Sequence, residues 1–185
     1  SGKSLDDFLR ERLFLPLKMD DTGFFVPESK KHRLARMYTK NAAGKLIPGR
    51  SNDDLLRKPT LFLGGQGLVS STSDYARFCR MLLSRGELEG ARILKPETVD
   101  LMFQNHLPKD LGRTYGLGGA VDGQGGYSWG GAAGTRFWID TKNNLYAVYM
   151  IQAQRYEAPG FTEFRGSVYR SIERWKPSEP VKIQA

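Results

Sequence analysis

A run of small residues between two extended segments is the feature that most limits the fold of this chain. Residues 127–129 (Tyr-Ser-Trp) lead into 130–134 (Gly-Gly-Ala-Ala-Gly), and the apolar run at 136–140 has the composition of a buried strand. Glycine lacks a Cβ atom, so the backbone here can turn sharply or lie close to a ligand. Locally the residues fit a tight β-hairpin, and they also fit a strand edge that presents main-chain N–H groups to an oxyanion.

The spacing of apolar residues is helical in the first part of the chain and strand-like in the second. Helices are predicted to begin with caps at Ser4 and at Thr72 or Ser73, and a third helix is predicted to begin at Pro96. Strands are predicted at 115–121, 127–130, 136–140 and 145–152. A closing amphipathic helix carries its apolar residues at Phe161, Phe164, Val168, Ile172 and Trp175. Helices, then antiparallel strands, then a terminal helix predict an α+β fold.

The length of 185 residues favours a single domain with one core. We predict a mainly helical and loop part at 1–110, antiparallel strands and the terminal helix at 111–176, and a tail at 177–185. No apolar run approaches the roughly 18 residues of a membrane span, so no span is expected. The net charge is +8, but only Lys30, Lys31, Arg33 and Arg36 form a tight cluster. A solvated basic surface is therefore favoured over a nucleic-acid partner.

Few residues offer nucleophilic or metal chemistry. The single cysteine, Cys79, lies on a helical apolar face and is predicted to pack in the core. The two histidines, His32 and His106, are too few and too far apart for a metal site, so no metal is expected. Residues 126–130 match the Gly-x-Ser-x-Gly elbow of α/β-hydrolases, but a strand follows and no histidine comes after Ser128. We interpret that match as accidental.

Several motifs occur in an order that is characteristic of one family. They are 14–22 (Phe-Leu-Pro-Leu-Lys-Met-Asp-Asp-Thr), 64–71 (Gly-Gly-Gln-Gly-Leu-Val-Ser-Ser), 74–78 (Asp-Tyr-Ala-Arg-Phe), 115–118 (Tyr-Gly-Leu-Gly) and 129–134 (Trp-Gly-Gly-Ala-Ala-Gly). Together they resemble the serine β-lactamase superfamily, including class C β-lactamases, family VIII carboxylesterases and penicillin-binding-protein-like enzymes. The resemblance implies the C-terminal part of the β-lactamase/transpeptidase-like fold. That part has an antiparallel sheet with a C-terminal helix packed on it, and some of the helical domain.

Two motifs of that family do not occur in the 185 residues. No serine has a lysine three positions on, as in the nucleophile motif Ser-x-x-Lys, and no tyrosine begins a Tyr-x-Asn motif. The resemblance therefore implies the C-terminal half of the domain only. A sheet without its leading strands has an unpaired edge. We expect an N-terminal fragment, cleaved or separately encoded, to carry both motifs as a partner.

The resemblance also implies roles for individual residues. The backbone N–H of Ala132 would be one oxyanion donor, within the third active-site motif formed by Trp129, Gly130, Gly131 and Ala132. Trp129 stands where β-lactamases carry the lysine of Lys-Thr-Gly, which favours neutral acyl esters over carboxylate-bearing β-lactams; simple packing of Trp129 in the core is the alternative. Candidate substrate-binding residues are Gln66, Arg155 and Tyr156.

These implications predict a serine hydrolase that cleaves carboxylic esters through an acyl-enzyme, with weak β-lactam hydrolysis compatible and no cofactor expected. The substrate would be a small ester or a β-lactam. Two alternatives stay open, a catalytically inactive interaction module and a penicillin-binding-protein-like peptidase fragment. The sequence does not distinguish the bacterial cytoplasm from the periplasm.

Overall fold

The computed structural model describes residues 1–154 and 159–174. Within these ranges the α-helices are α1 (Leu5–Leu9), α2 (Thr72–Leu83), α3 (Pro96–Met102) and α4 (Pro159–Arg174). The strands are β1 (Tyr38–Lys40), β2 (Leu46–Pro48), β3 (Glu87–Leu88), β4 (Ala91–Arg92), β5 (Ala120–Val121), β6 (Gly126–Gly130), β7 (Arg136–Asp140), β8 (Leu145–Tyr149) and β9 (Ala153–Gln154). Helices and mainly antiparallel pairing confirm the predicted α+β class.

Helices α1 and α2 both begin at a serine cap, which satisfies an N–H group that has no partner inside the helix. Ser4 caps α1, as predicted. For α2 the predicted caps, Thr72 or Ser73, are wrong. The cap is Ser71, whose extended backbone precedes the helix and whose oxygen accepts a hydrogen bond from the Asp74 N–H at 3.2 Å.

Helix α2 supplies one wall of the hydrophobic core. Cys79 and Leu82 are buried, and the Tyr75 ring packs on Phe137 of β7 with the ring centroids 5.1 Å apart. Burial raises the pKa of the Cys79 thiol to about 12, so this cysteine is a packing residue, as predicted. Helix α3 begins at Pro96, as predicted, and adds Val99 and Met102 to the core, where Phe103, directly after the helix, also packs.

Strands β5, β6, β7 and β8 form a four-stranded antiparallel sheet in that order. Their side chains alternate between the two faces of the sheet. Tyr127 and Ile139 belong to the core on the α2 side. On the opposite face, Trp138 packs against Phe161 of α4 with the ring centroids 5.8 Å apart. The C-terminal helix therefore packs on the sheet, as predicted, while Trp175 of its predicted apolar face lies outside the described residues.

The predicted strand at 115–121 is mostly wrong, because only its last two residues, those of β5, belong to a strand. The Gly116 N–H donates a hydrogen bond to the Gly119 carbonyl at 2.8 Å, and Gly118 has a φ of +82°. These glycines turn the chain back on itself. A Cβ at Gly119 would lie 2.6 Å from the Tyr127 ring, so the turn also permits close packing on β6.

The predicted strand at 145–152 is too long, since β8 ends at Tyr149, and a separate strand, β9, begins only at Ala153. Strand β9 pairs in parallel with β1, which in turn pairs antiparallel with β2. This pairing joins the segment 1–110 to the segment 111–176. The predicted tail at 177–185 lies outside the described residues.

The predicted basic cluster is partly neutralised by a neighbouring carboxylate. Asp21 accepts hydrogen bonds from both Arg33 Nη atoms, at 2.8 and 2.6 Å, and from Lys30 Nζ at 2.6 Å. These bonds, with that from Arg33 the strongest, lower the pKa of Asp21 to about 2. Lys31 also pairs with Glu28 at 3.3 Å, so three of the four cations are engaged within the fold. Among the described helices, none combines the length and apolar character that crossing a membrane requires.

Candidate active site

The small residues after β6 form a tight loop that connects it to β7. The Gly131 N–H donates to the Thr135 carbonyl, and the Gly134 N–H donates to the Gly131 carbonyl, both at 2.9 Å. Gly134 has a φ of +90°, and a Cβ there would lie 2.6 Å from Ile151. Only glycine meets both requirements without strain. The hairpin suggested by the local sequence is therefore present.

This hairpin loop also carries an amide that the rest of the fold leaves free. Ala132 occupies the second position of the 131–134 turn and is exposed, and its N–H finds no acceptor among the residues that the structure describes. The loop is nonetheless held in place, because the Ala153 N–H donates to the Ala133 carbonyl at 2.9 Å. A free N–H group on an anchored backbone is the kind of donor that can stabilise an oxyanion.

The end of β6 is open along one edge. Strand β5 pairs with Tyr127 and Ser128 only. On that side Trp129 and Gly130 have no strand neighbour in the described part of the chain, whereas on the other side they pair with β7. A ligand or another polypeptide segment can therefore reach the backbone just before Ala132.

The side chain of Trp129 lies at this open edge. It is 49% exposed, so core packing does not account for its position. Its ring meets the edge of Tyr115 in a T-shaped contact, with centroids 5.1 Å apart at 83°. In the register with β7, Trp129 is opposite Phe137, which places it on the α2 face of the sheet. An apolar ring and a free amide thus flank Gly130–Gly131.

Ser128 is not the nucleophile of an α/β-hydrolase elbow. That motif requires a strand, a sharp turn and then a helix. Here β6 continues through the hairpin into β7, and Ser128 pairs with Trp138 on the face covered by α4. The sequence-based interpretation of the Gly-x-Ser-x-Gly match as accidental is confirmed.

The structure does not connect the three predicted substrate-binding residues, Gln66, Arg155 and Tyr156, with Trp129 and Ala132. Gln66 lies in an exposed loop between Leu61 and Val69, and its amide makes no hydrogen bond with any residue that the structure describes. Arg155 and Tyr156 lie outside the described residues. The structure thus brings together 129–132 from the predicted set.

Sequence reasoning missed Tyr115, which contacts Trp129, and Asn105, which bonds to the backbone of Tyr115. Tyr115 is part of the Tyr-Gly-Leu-Gly motif, but the strand predicted there did not indicate that its ring contacts Trp129. Asn105 accepts a hydrogen bond from the Tyr115 N–H, and no local pattern marks it. In the described ranges no group of three His, Cys, Asp or Glu side chains is arranged to hold a metal ion.

The antiparallel sheet covered by α4, with Trp129 and Gly130 at the end of an inner strand, belongs to the class of β-lactamase/transpeptidase-like folds, of which it forms the C-terminal portion. The sequence matches the Beta-lactamase family model over residues 1–166, and the chain belongs to that family. The relationship predicted from the ordered motifs is therefore confirmed.

Three similar proteins show the extent of the match. Protein Rv1367c of Mycobacterium tuberculosis is 32% identical over 173 residues, which cover 80% of this chain and 43% of that protein. Lovastatin esterase of Penicillium rubens is 30% identical over 218 residues, covering 95% and 53%. Among solved structures, the LovD6 mutant of simvastatin synthase from Aspergillus terreus has a TM-score of 0.78 at 27% identity, covering 95% and 53%.

These comparisons define relatives rather than an activity for this chain. Esterases and acyltransferases of the β-lactamase-like superfamily are among them. The chain spans about half the length of the relatives it matches.

Proposed function

We propose that this chain forms part of the active site of a serine hydrolase that cleaves carboxylic esters through an acyl-enzyme. The observation that carries the proposal is the free N–H of Ala132 on an anchored loop, beside the half-exposed ring of Trp129. Relatedness to an esterase supports the same chemistry.

In this mechanism a serine oxygen attacks the ester carbonyl and forms a C–O bond, and the carbonyl oxygen becomes an oxyanion. The Ala132 N–H donates to that oxyanion. Collapse breaks the bond to the alcohol, which leaves with the proton that the serine hydroxyl gave up; water then hydrolyses the acyl-enzyme, returns a proton to the serine and releases the acid. One oxyanion donor of this kind contributes about 3–4 kcal/mol of transition-state stabilisation.

Trp129 favours a neutral, apolar acyl group. Its indole offers an N–H donor and a large apolar surface, but no positive charge for a substrate carboxylate. We therefore expect Trp129→Lys to lower kcat/KM for p-nitrophenyl butyrate and raise it for the carboxylate-bearing lactam nitrocefin, changing their ratio by about tenfold or more. Trp129→Phe, which keeps an apolar ring, serves as the control. An unchanged ratio in Trp129→Lys contradicts this role.

The nucleophile would come from polypeptide outside these 185 residues, carrying Ser-x-x-Lys and Tyr-x-Asn. Two features of the described residues support such a partner. Strand β8 pairs with β7 on one side and has no strand on the other. Large apolar side chains are exposed around the glycine-rich loop, and such surfaces usually mark contacts with other polypeptide; they are Leu61, Leu63 and Leu68.

The intact mass of the purified species tests this proposal first, because it reveals any polypeptide beyond these residues. Turnover of p-nitrophenyl butyrate and nitrocefin is then measured with and without the segment that carries the two motifs. We expect ester turnover only when both parts are present. No turnover of either substrate by the complete assembly contradicts the proposal and favours an inactive interaction module.

A further inference from the structure

The backbone of Tyr115 is held at both of its polar groups by two consecutive residues that follow α3. The Asn105 side-chain oxygen accepts from the Tyr115 N–H at 2.9 Å. The His106 N–H donates to the Tyr115 carbonyl, also at 2.9 Å. These two hydrogen bonds close the loop 107–114 and fix the position of the Tyr115 backbone.

Asn105 is itself locked by its own loop. Its side-chain oxygen also accepts from the Leu107 N–H at 3.1 Å, and its amide nitrogen donates to the Leu107 carbonyl at 3.0 Å. The His106 ring lies against the Leu101 carbonyl at the end of α3, with Nε2 at 2.7 Å. This bracket, residues 105–107, therefore connects α3 rigidly to Tyr115.

Tyr115 in turn contacts Trp129 edge-on at 5.1 Å. Trp129 is half exposed and lies at the open edge of β6. An exposed aromatic side chain samples several rotamers unless a neighbour selects one. The Tyr115 ring is the aromatic neighbour that the described residues provide.

We propose that Asn105 is a positioning residue that sets the acyl-chain preference of the site, by fixing Tyr115 and through it the Trp129 ring. The inference rests on the proposed esterase function for its effect on catalysis, but the positioning itself is a property of the fold. It assigns a role to a residue that touches neither substrate nor reacting atoms.

The test compares Asn105→Ala with Asn41→Ala in the complete protein. Asn41 is a close structural match, because its side-chain oxygen also accepts from two backbone N–H groups, those of Ala43 and Lys45. We expect Asn105→Ala alone to lower the preference for p-nitrophenyl butyrate over p-nitrophenyl acetate, by about tenfold, since contacts with methylene groups set that ratio. The change should lie mainly in KM. Equal ratios in the two variants overturn the proposal.

A second readout does not need turnover. The fluorescence emission of Trp129 is obtained by subtracting the spectrum of the same variant that also carries Trp129→Phe. In Asn105→Ala this emission should shift to longer wavelength and be quenched more readily by acrylamide. Asn105→Asp keeps the oxygen that accepts from Tyr115 but loses the donor to the Leu107 carbonyl, so its emission and selectivity should lie between those of Asn105→Ala and the unsubstituted protein. If no variant turns over ester but the emission still responds to Asn105→Ala alone, the proposed function fails and the positioning stands. Unchanged emission overturns the positioning.

Discussion

Two hairpin loops of the same sheet have similar turns but differ in how their backbone N–H groups are hydrogen-bonded. The β6–β7 loop has a turn at 131–134, closed by the Gly134 N–H to the Gly131 carbonyl. The β7–β8 loop has a turn at 141–144, closed by the Asn144 N–H to the Thr141 carbonyl at 3.4 Å. Each turn ends at a residue with positive φ, +90° at Gly134 and +48° at Asn144.

The second loop is held by hydrogen bonds to the side chain of Asp140, from the loop itself and from α4. The Asp140 carboxylate accepts from the Asn143 N–H at 3.0 Å, from the Asn143 side chain at 2.8 Å and from the Tyr169 hydroxyl at 2.9 Å. Burial alone would raise the pKa of Asp140, but these hydrogen bonds outweigh it and lower the pKa below its usual range. The hydrogen bonds to Asp140 therefore stabilise this loop.

The first loop has no such carboxylate and leaves the Ala132 N–H without an acceptor among the described residues. The loop loses a local hydrogen bond, which would typically contribute about 1 kcal/mol. The Ala132 N–H therefore remains an accessible hydrogen-bond donor next to the exposed ring of Trp129. The free amide therefore distinguishes the first loop from the second, and it is the donor on which the proposed function depends.

The largest expected effect comes from placing proline at the second position of each turn, where its φ is compatible with the backbone. Ala132→Pro removes the proposed donor and should lower kcat by about 10²–10³-fold with little change in the free energy of unfolding. Lys142→Pro removes an N–H that interacts with Asp140. It should cost about 1 kcal/mol of stability and leave kcat unchanged.

Steady-state kinetics measures kcat of both variants, and urea denaturation measures their free energy of unfolding. Ala132→Ser, which keeps the N–H, is the control for the first loop. Full activity in Ala132→Pro would remove the functional distinction between the two loops.

A smaller effect is expected from the positions with positive φ. Gly134→Ala introduces a strained φ and a Cβ 2.6 Å from Ile151, so it should destabilise the protein by about 1–3 kcal/mol. Asn144→Gly removes strain at the price of a more flexible unfolded chain, so its effect should be within about 0.5 kcal/mol of zero. Urea denaturation tests both; similar losses in the two variants would mean that Ile151 does not restrain the first loop.

The smallest expected effect is on pH dependence. Because its folded-state pKa is lowered, ionised Asp140 stabilises the fold above the unfolded pKa of about 4, and this contribution is lost as pH falls through the folded-state value. Asp140→Asn should therefore lose less stability than the unsubstituted protein between about pH 5 and pH 3. Ala132→Pro, in a loop without an ionisable group, should keep the original pH profile. Urea denaturation at both pH values measures the difference.

Sequence patterns were reliable where the interactions are local. The Ser4 cap, the Pro96 helix start and the core position of Cys79 depend on neighbouring residues or on helical period, and all three are confirmed. The prediction of a strand at 115–121 was wrong for 115–119 because Gly116 bonds to Gly119 and packs on α3, and neither contact has a signal in the apolar pattern.

For the candidate site, the residues in 129–134 determined by themselves that the chain can turn here, because glycine and alanine allow a tight loop. Only the tertiary structure decided which amide stays free and which ring stands beside it. The Ala153 N–H anchors the loop and Ile151 requires glycine at 134, while Tyr115 reaches Trp129 from a loop held by Asn105. These partners are distant in sequence. Hydrogen bonds and ring contacts between them form only when the fold brings them within a few ångströms of each other.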